Sequence, residues 1–144
     1  MTVYQISIFL ENRTGQLAEI TKILADNQID MRAISIAETS DYGVLRLIVD
    51  QPQKATSILL EQGFILSKTP VTAVMVPDQP GGLAPVLQLI ADGEIDIEYM
   101  YSLFTHKEGN AYMVFRVSDD EKFTSLLAQN GIQTVTRQEL DIGD

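Results

Sequence analysis

The sequence predicts an α+β protein made of two βαββαβ units, in which each antiparallel sheet carries its helices on one face. A short glycine-containing phrase occurs at residues 12–17 and returns 66 positions later at residues 78–83. Each copy stands between a segment of alternating apolar residues and a segment with helical apolar spacing. A self-similar period of this length indicates that one structural unit is repeated along the chain.

The first half of the chain has the order strand, helix, strand, strand, helix, strand. Apolar and polar residues alternate before the first glycine phrase, and Leu17, Ile20 and Leu24 then recur at helical spacing. Pro52 suits the first turn of a helix, and Gly63 suits a C-terminal cap. The predicted elements are a strand at 4–10, a helix at 17–26, strands at 29–38 and 44–50 joined by a hairpin turn at 40–43, a helix at 52–62 and a strand at 64–68.

The second half repeats this order. Asp119 and Asp120 favour the start of a helix, because acidic side chains stabilise its positive end, and Gly131 closes that helix. Beyond the hairpin the repeat offset grows from 66 to 68, as expected if two residues were added in a surface loop. The predicted elements are strands at 71–76, 95–104, 111–117 and 132–140, helices at 83–91 and 119–130, and a hairpin at 105–110.

This order predicts the ferredoxin-like plan in each half. Right-handed crossovers place both helices of a βαββαβ unit on one face of an antiparallel four-stranded sheet. Only residues 67–70 separate the predicted units, so we expect one domain at 1–69 and a second at 70–144.

The composition excludes several classes of function. The net charge is −10, with −2 in residues 1–70 and −8 in residues 71–144, which argues against binding of nucleic acid. No apolar run approaches the ~18 residues that span a bilayer, and no export signal opens the chain, so a cytoplasmic protein that does not enter membranes is expected. The absence of cysteine, of a phosphate-binding motif and of a nucleophile–base pair predicts a protein that is not an enzyme and has no metal or cofactor.

The two glycine phrases are the best candidates for a binding site. The first reads Asn12, Arg13, Thr14, Gly15, Gln16, Leu17, and the second reads Asp78, Gln79, Pro80, Gly81, Gly82, Leu83. A glycine turn at the start of a helix presents unpaired backbone N–H groups, which can accept a carboxylate. The two glycines at the matched positions, 15 and 81, can also serve a tight turn that needs a positive φ.

With these two phrases in a repeated βαββαβ plan, the chain resembles the ACT domain over about residues 2–140. ACT domains are small regulatory modules that bind amino acids, and the resemblance implies a stand-alone protein with two such domains. It also implies that the ligand lies between ACT units, beside the loops that carry Asn12 and Asp78. A homodimer is expected because pairing would cover exposed sheet edges, and a partner enzyme would be the target of regulation.

The two halves differ in charge at matched positions. Arg13 corresponds to Gln79, and Arg32 corresponds to Glu98. If the units face each other, this asymmetry would orient a zwitterion; the alternative is drift on solvated surfaces. Tyr99 and Tyr101 either line a side-chain pocket or pack at an interface. The candidate ligand-binding residues are Asn12, Arg13, Thr14, Gly15, Gln16, Leu17, Arg32, Asp78, Gln79, Gly81, Gly82, Leu83, Tyr99 and Tyr101.

Two other functions are alternatives to an amino-acid-binding protein. An RNA-recognition module shares the βαββαβ order, but it needs aromatic and basic residues on its third strand, and residues 44–49 have no aromatic ring. The stronger alternative is an interaction module that binds a partner enzyme without a ligand of its own.

Overall fold

A computed structural model describes residues 2–11, 13–38, 42–104 and 106–143. The elements are β1 (Val3–Glu11), α1 (Gln16–Asp26), β2 (Met31–Glu38), β3 (Tyr42–Val49), α2 (Pro52–Glu61), β4 (Leu66–Pro77), α3 (Ala84–Asp92), β5 (Ile97–Ser102), β6 (Asn110–Val117) and α4 (Asp120–Gln129). The chain divides into two compact units, Tyr4–Thr69 with Arg137–Asp144, and Met1–Val3 with Pro70–Thr136. We call them the first and the second unit.

The first unit has the strand order β2-β3-β1-β4, of which β4 contributes its start. Both β1 and β2 pair with β3 in antiparallel fashion, and the N–H of Phe9 donates to the carbonyl of Ile65 at 2.9 Å. The side chains of Ile6 and Ile8 on β1 are fully buried, as their alternation predicts. They share one core with Ile20 of α1 and Leu59 of α2, so both helices pack on one face of the sheet.

The second unit repeats this arrangement with the strand order β4-β6-β5. On the other side of β4, the N–H of Met75 donates to the carbonyl of Gln133 at 3.0 Å, which is the repeat of the Phe9–Ile65 bond. The core joins Phe115 of β6 to Phe123 of α4, whose rings meet edge to face at 5.4 Å. The predicted α+β fold with two ferredoxin-like units is therefore confirmed.

Several local predictions are also confirmed. Pro52 occupies the first turn of α2. Asp119 caps α4, because its side chain accepts a hydrogen bond from the N–H of Lys122 at 3.1 Å. Gly15 and Gly81 both have a positive φ, 85° and 79°. Of the predicted hairpin turn at 40–43, residues 40 and 41 lie outside the described residues, and the predicted start of the second hairpin at 105 does so too.

Two strand predictions are wrong. Residues 64–68 and 71–76 do not form separate strands, since β4 runs through Leu66–Pro77; Pro70 does not interrupt it because the fixed φ of proline is compatible with extended backbone. Residues 132–140 do not form a strand either. A single bridge joins Thr134 to Val74, and the chain then turns at 137–141, where Leu140 is buried.

The two units have been predicted as domains at 1–69 and 70–144, and this division stays a prediction. The last eight residues, which the prediction assigned to the second domain, group with Tyr4–Thr69 in the first unit. No helix in the described ranges is long and apolar enough to cross a membrane.

Candidate functional site

The first glycine loop borders a cleft of about 420 Å³ that lies within the first unit. We call it the first-loop cleft. It is bounded by the end of β1, the start of α1, the end of β2 and the start of β3. The lining residues are Leu10, Glu11, Arg13, Gly15, Gln16, Leu17, Ile36, Glu38, Tyr42 and Gly43.

The loop reaches α1 through a tight turn. The N–H of Arg13 donates to the carbonyl of Glu11 at 2.7 Å, and Gly15 then adopts its positive φ directly before the helix. The carbonyl of Gly15 accepts the N–H of Glu19 at 3.0 Å, so the first turn of α1 is regular. Among the described residues, no side chain caps this helix. The N–H of Gln16 donates to the carbonyl of Arg13 at 3.4 Å. The next two N–H groups of α1, those of Leu17 and Ala18, have no partner inside the helix.

Gln16 is a buried polar residue in this cleft. It is only 6% exposed, and its Oε1 atom has no hydrogen-bond partner among the described residues. A buried acceptor without a partner costs ~1–3 kcal/mol of stability. A side chain that carries this cost beside an open cleft is a candidate for contact with a ligand, whose donor would satisfy the acceptor.

The floor of the cleft is open because Gly43 has no side chain. On β3, Gly43 lies opposite Leu10 of β1 and opposite Glu38 of β2, so the three residues form one row across the sheet. A Cβ atom built on Gly43 would lie 3.5 Å from the carbonyl oxygen of Ala37 and 3.7 Å from Leu10, which are ordinary contacts. The space above Gly43 is therefore sufficient for a methyl group and continues into the cleft.

The charged groups of the first-loop cleft are mainly acidic. Glu11 and Glu38 line it, and both are exposed. Arg13 also lines it, but its Nη2 atom lies 3.4 Å from Oε2 of Glu19, which neutralises part of its charge. No ion pair of Glu11 or Glu38 occurs in the part of the chain that the structure describes.

The second glycine loop also borders a cleft of about 420 Å³, within the second unit, but its walls differ. Gln79, Gly81 and Gly82 line it together with Pro85, and the opposite wall includes Gln133. This cleft lies beside the segment that follows α4, whereas the first-loop cleft lies beside β2 and β3. The two loops are therefore repeats in sequence but border different spaces.

Two substitutions between the repeats account for this difference. The position of Gln16 is taken by Gly82, where a Cβ atom would lie only 1.9 Å from the carbonyl oxygen of Pro77. The carbonyl of Pro77 therefore occupies the space that the first atom of a side chain at residue 82 would need. The position of Gly43 is taken by Ala111, which lies opposite Val76. The buried amide of Gln16 and the open position at Gly43 therefore have no counterpart at the matched residues of the second unit.

The remaining candidates from the sequence lie elsewhere. Arg32 is 13% exposed, and its guanidinium donates to the carbonyls of Leu140 at 2.8 Å and Asp141 at 3.1 Å. Tyr99 and Tyr101 stack with ring centroids 6.5 Å apart on β5 and line neither loop cleft.

Thr14 is exposed in the first loop without lining its cleft. The N–H of Asp78 donates to the carbonyl of Gly109 at 3.0 Å, and Leu83 packs against the core of the second unit. Asn12 lies outside the described residues. The structure thus brings together Arg13, Gly15, Gln16 and Leu17 at one cleft, and the other candidates among the described residues do not line it.

Sequence reasoning missed the residues that β2 and β3 contribute to the first-loop cleft. These are Ile36, Glu38, Tyr42 and Gly43, together with Glu11 at the end of β1. One signal was present in the sequence, because a glycine at position 43 stands where the second repeat has alanine. Whether Gly43 faces the first loop depends on the strand register, which the sequence alone does not specify.

Comparison with known proteins identifies close relatives of the chain. A family model described as the ACT domain pair matches residues 1–142. The solved structure of protein BT0572 from Bacteroides thetaiotaomicron is 37% identical, with a TM-score of 0.89; the match covers 98% of this chain and 96% of that one.

The regulatory subunit of aspartate kinase from Thermus thermophilus, in its ligand-free form, is 18% identical with a TM-score of 0.64. That match covers 88% of this chain and 91% of the subunit. At this identity the likeness shows a shared fold. Comparison with curated proteins gives no match.

Proposed function

Because the chain belongs to the family of ACT domain pairs, we propose that it is a regulatory protein that binds a free amino acid in the first-loop cleft. The observation that supports this proposal most directly is Gln16, buried in the cleft with an unpaired Oε1 atom. We propose a binding role in the cytoplasm, without catalysis. The two ACT domains are residues 1–69 and 70–144.

The groups around the first-loop cleft match the two charges of an amino acid. The carboxylate is bound by the first N–H groups of α1, where the helix dipole contributes ~0.3–1 kcal/mol, and by Arg13. When the side-chain amide of Gln16 turns toward the cleft, its Oε1 atom accepts a hydrogen bond from the ammonium and gains the partner that it lacks. Gly15 permits close approach, because no atom lies within 4 Å of a Cβ atom built there.

The remaining candidate residues do not contact the two charges of the ligand in this proposal. Asn12 and Thr14 complete the first loop, and Asp78, Gln79, Gly81, Gly82 and Leu83 form a second loop that binds differently because it has no counterpart of Gln16. The family resemblance implies a ligand between ACT units, with Arg32, Tyr99 and Tyr101 as further candidates. These assignments stay predictions.

We also propose that the chain forms a homodimer through the sheet face of the first unit that carries Phe9 and Tyr42. The two rings stack with centroids 4.9 Å apart, and they are 42% and 41% exposed. Ile65, which is 72% exposed, borders a cleft of about 260 Å³ with Phe9. Light scattering on the full chain should give twice the mass of the monomer, and Phe9→Ser should halve it; a monomeric wild type would contradict the dimer.

Thermal unfolding of the full chain with each of the twenty amino acids tests the binding function. A ligand at 100 times its dissociation constant should add ~2.7 kcal/mol to the free energy of unfolding. Gln16→Leu should abolish this response, while Gln53→Leu on the exposed surface of α2 should retain it. A wild-type chain that responds to no amino acid would contradict the proposal and favour an interaction module that binds a partner enzyme through its exposed apolar sheet face.

A further inference from the structure

We infer that the first-loop cleft selects an amino acid whose side chain ends in a positive charge, and that Glu38 binds that charge. This inference rests on the proposed function and adds the chemical class of the ligand. Three features of the cleft support it: the position of Glu38, an apolar path that leads to it, and the absence of a cation that pairs with it among the described residues.

The first feature is the direction of the Glu38 side chain. In an antiparallel sheet, residues that lie directly opposite each other point to the same face. Glu38 lies opposite Gly43, which lies opposite the buried Leu10, so Glu38 points to the face on which α1 packs. The carboxylate is therefore on the same side of the sheet as the start of α1 and Gln16. Gly43, which has no side chain, leaves the space between Leu10 and Glu38 open.

The second feature is an apolar wall beside this space. Ile36 precedes Glu38 by two residues on β2, so both side chains point to the same face. Ile36 lines the cleft and remains 43% exposed. A chain of methylene groups would cover Ile36 and Leu10 while its charged end reaches the carboxylate, as long cationic side chains do on protein surfaces.

The third feature is the balance of charge in the cleft. Glu38 and Glu11 have no ion-pair partner among the described residues, and the one cation of the cleft, Arg13, lies beside Glu19. The α-carboxylate and the α-ammonium of the ligand are already matched by the start of α1 and by Gln16. Glu38 is thus left to interact with the ligand's side chain, which favours a cation and repels a second carboxylate.

Isothermal titration of the full chain with lysine, norleucine and glutamate measures this selectivity. Norleucine has the same carbon chain as lysine without the terminal ammonium. At low ionic strength lysine should bind about fivefold more tightly than norleucine, which is the upper end of what an exposed ion pair contributes. Glutamate should bind more weakly than either. The preference for lysine should shrink between ~0.01 M and ~1 M salt, where the screening length falls from ~30 Å to ~3 Å.

Glu38→Gln should remove the preference for lysine and leave the affinity for norleucine unchanged, because the amide keeps the shape of the side chain. Glu61→Gln, at the exposed end of α2, is the matched control and should change neither affinity. Equal binding of lysine and norleucine, or a preference that survives Glu38→Gln, would overturn this inference and leave amino-acid binding intact. Failure of all twenty amino acids to bind would instead overturn the proposed function.

Discussion

The Nε atom of Arg32 donates a hydrogen bond to the backbone carbonyl of Leu140 at 2.8 Å, across 108 positions of sequence. The same guanidinium also donates to the carbonyl of Asp141 and lies 2.5 Å from a carboxylate oxygen of Asp30. Leu140 itself is 1% exposed. Arg32 thereby holds the C-terminal segment against β2 within the first unit.

We expect Arg32→Ala to lower the free energy of unfolding by ~1.5–3 kcal/mol, because it removes hydrogen bonds from a charged donor to two backbone carbonyl groups. Arg32→Lys should restore part of the loss, since a single ammonium cannot donate to two carbonyls in the geometry of a guanidinium. Urea denaturation measures both. Arg13→Ala is the control and should change stability little, because Arg13 is 58% exposed. Equal stability of Arg32→Ala and wild type would show that the C-terminal segment needs no such contact.

Gln16→Leu should make the protein without ligand more stable by ~1–3 kcal/mol, because it removes an unsatisfied buried acceptor. The same change should abolish the stabilisation by amino acids. This opposite effect on stability and binding is the pattern expected of a residue retained for function. Urea denaturation with and without the amino acid measures both effects, and a loss of stability in the absence of ligand would contradict the assignment of Gln16.

Gly43→Ala should fold well and bind the ligand about tenfold more weakly. The added methyl group meets its neighbours at 3.5 Å or more, so it fits the folded chain, and fewer unfolded conformations are then available. The added methyl group occupies the floor of the cleft, however. Overpacking against the bound ligand should there cost ~1–3 kcal/mol of binding free energy. Calorimetry measures the affinity, and an unchanged affinity would show that the ligand does not rest on β3.

Gly82→Ala should behave differently from Gly43→Ala. The added Cβ atom would lie 1.9 Å from the carbonyl oxygen of Pro77, so the second loop must shift, at a cost of ~1–3 kcal/mol. Binding in the first-loop cleft should remain, because that cleft lies within the other unit. Thermal unfolding measures the loss of stability, and calorimetry measures the retained binding. A Gly82→Ala protein as stable as the wild type would contradict the close approach of the Pro77 carbonyl to residue 82.

Asp119→Ala should lower the free energy of unfolding by ~1 kcal/mol, because the N–H of Lys122 loses the side-chain acceptor that caps α4. Asp119→Ser should restore most of the loss, since a hydroxyl oxygen also accepts this bond. Chemical denaturation measures the series. If serine and alanine were equally destabilising, the loss would come from the charge at the helix start instead of the cap.

The sequence predicted the parts of this protein that depend on short-range patterns. The repeat of the glycine phrase gave two βαββαβ units, apolar periodicity gave the helices, and Pro52 and Asp119 marked the starts of α2 and α4 correctly. These features follow from the backbone preferences and side-chain spacing of neighbouring residues, and every residue involved lies within a few positions of the element that it defines.

Only the tertiary structure determined which residues pack against these helices, strands and loops. Residues 132–140 have strand-like spacing, yet the chain turns at 137–141, because the burial of Leu140 and its bond to Arg32 stabilise a different path. The first loop was evident, but its neighbours Glu38 and Gly43 lie on β2 and β3, more than twenty residues after the loop ends at Leu17. Strand register and burial are set by contacts between residues far apart in the chain, and for this reason a local pattern in the sequence does not specify them.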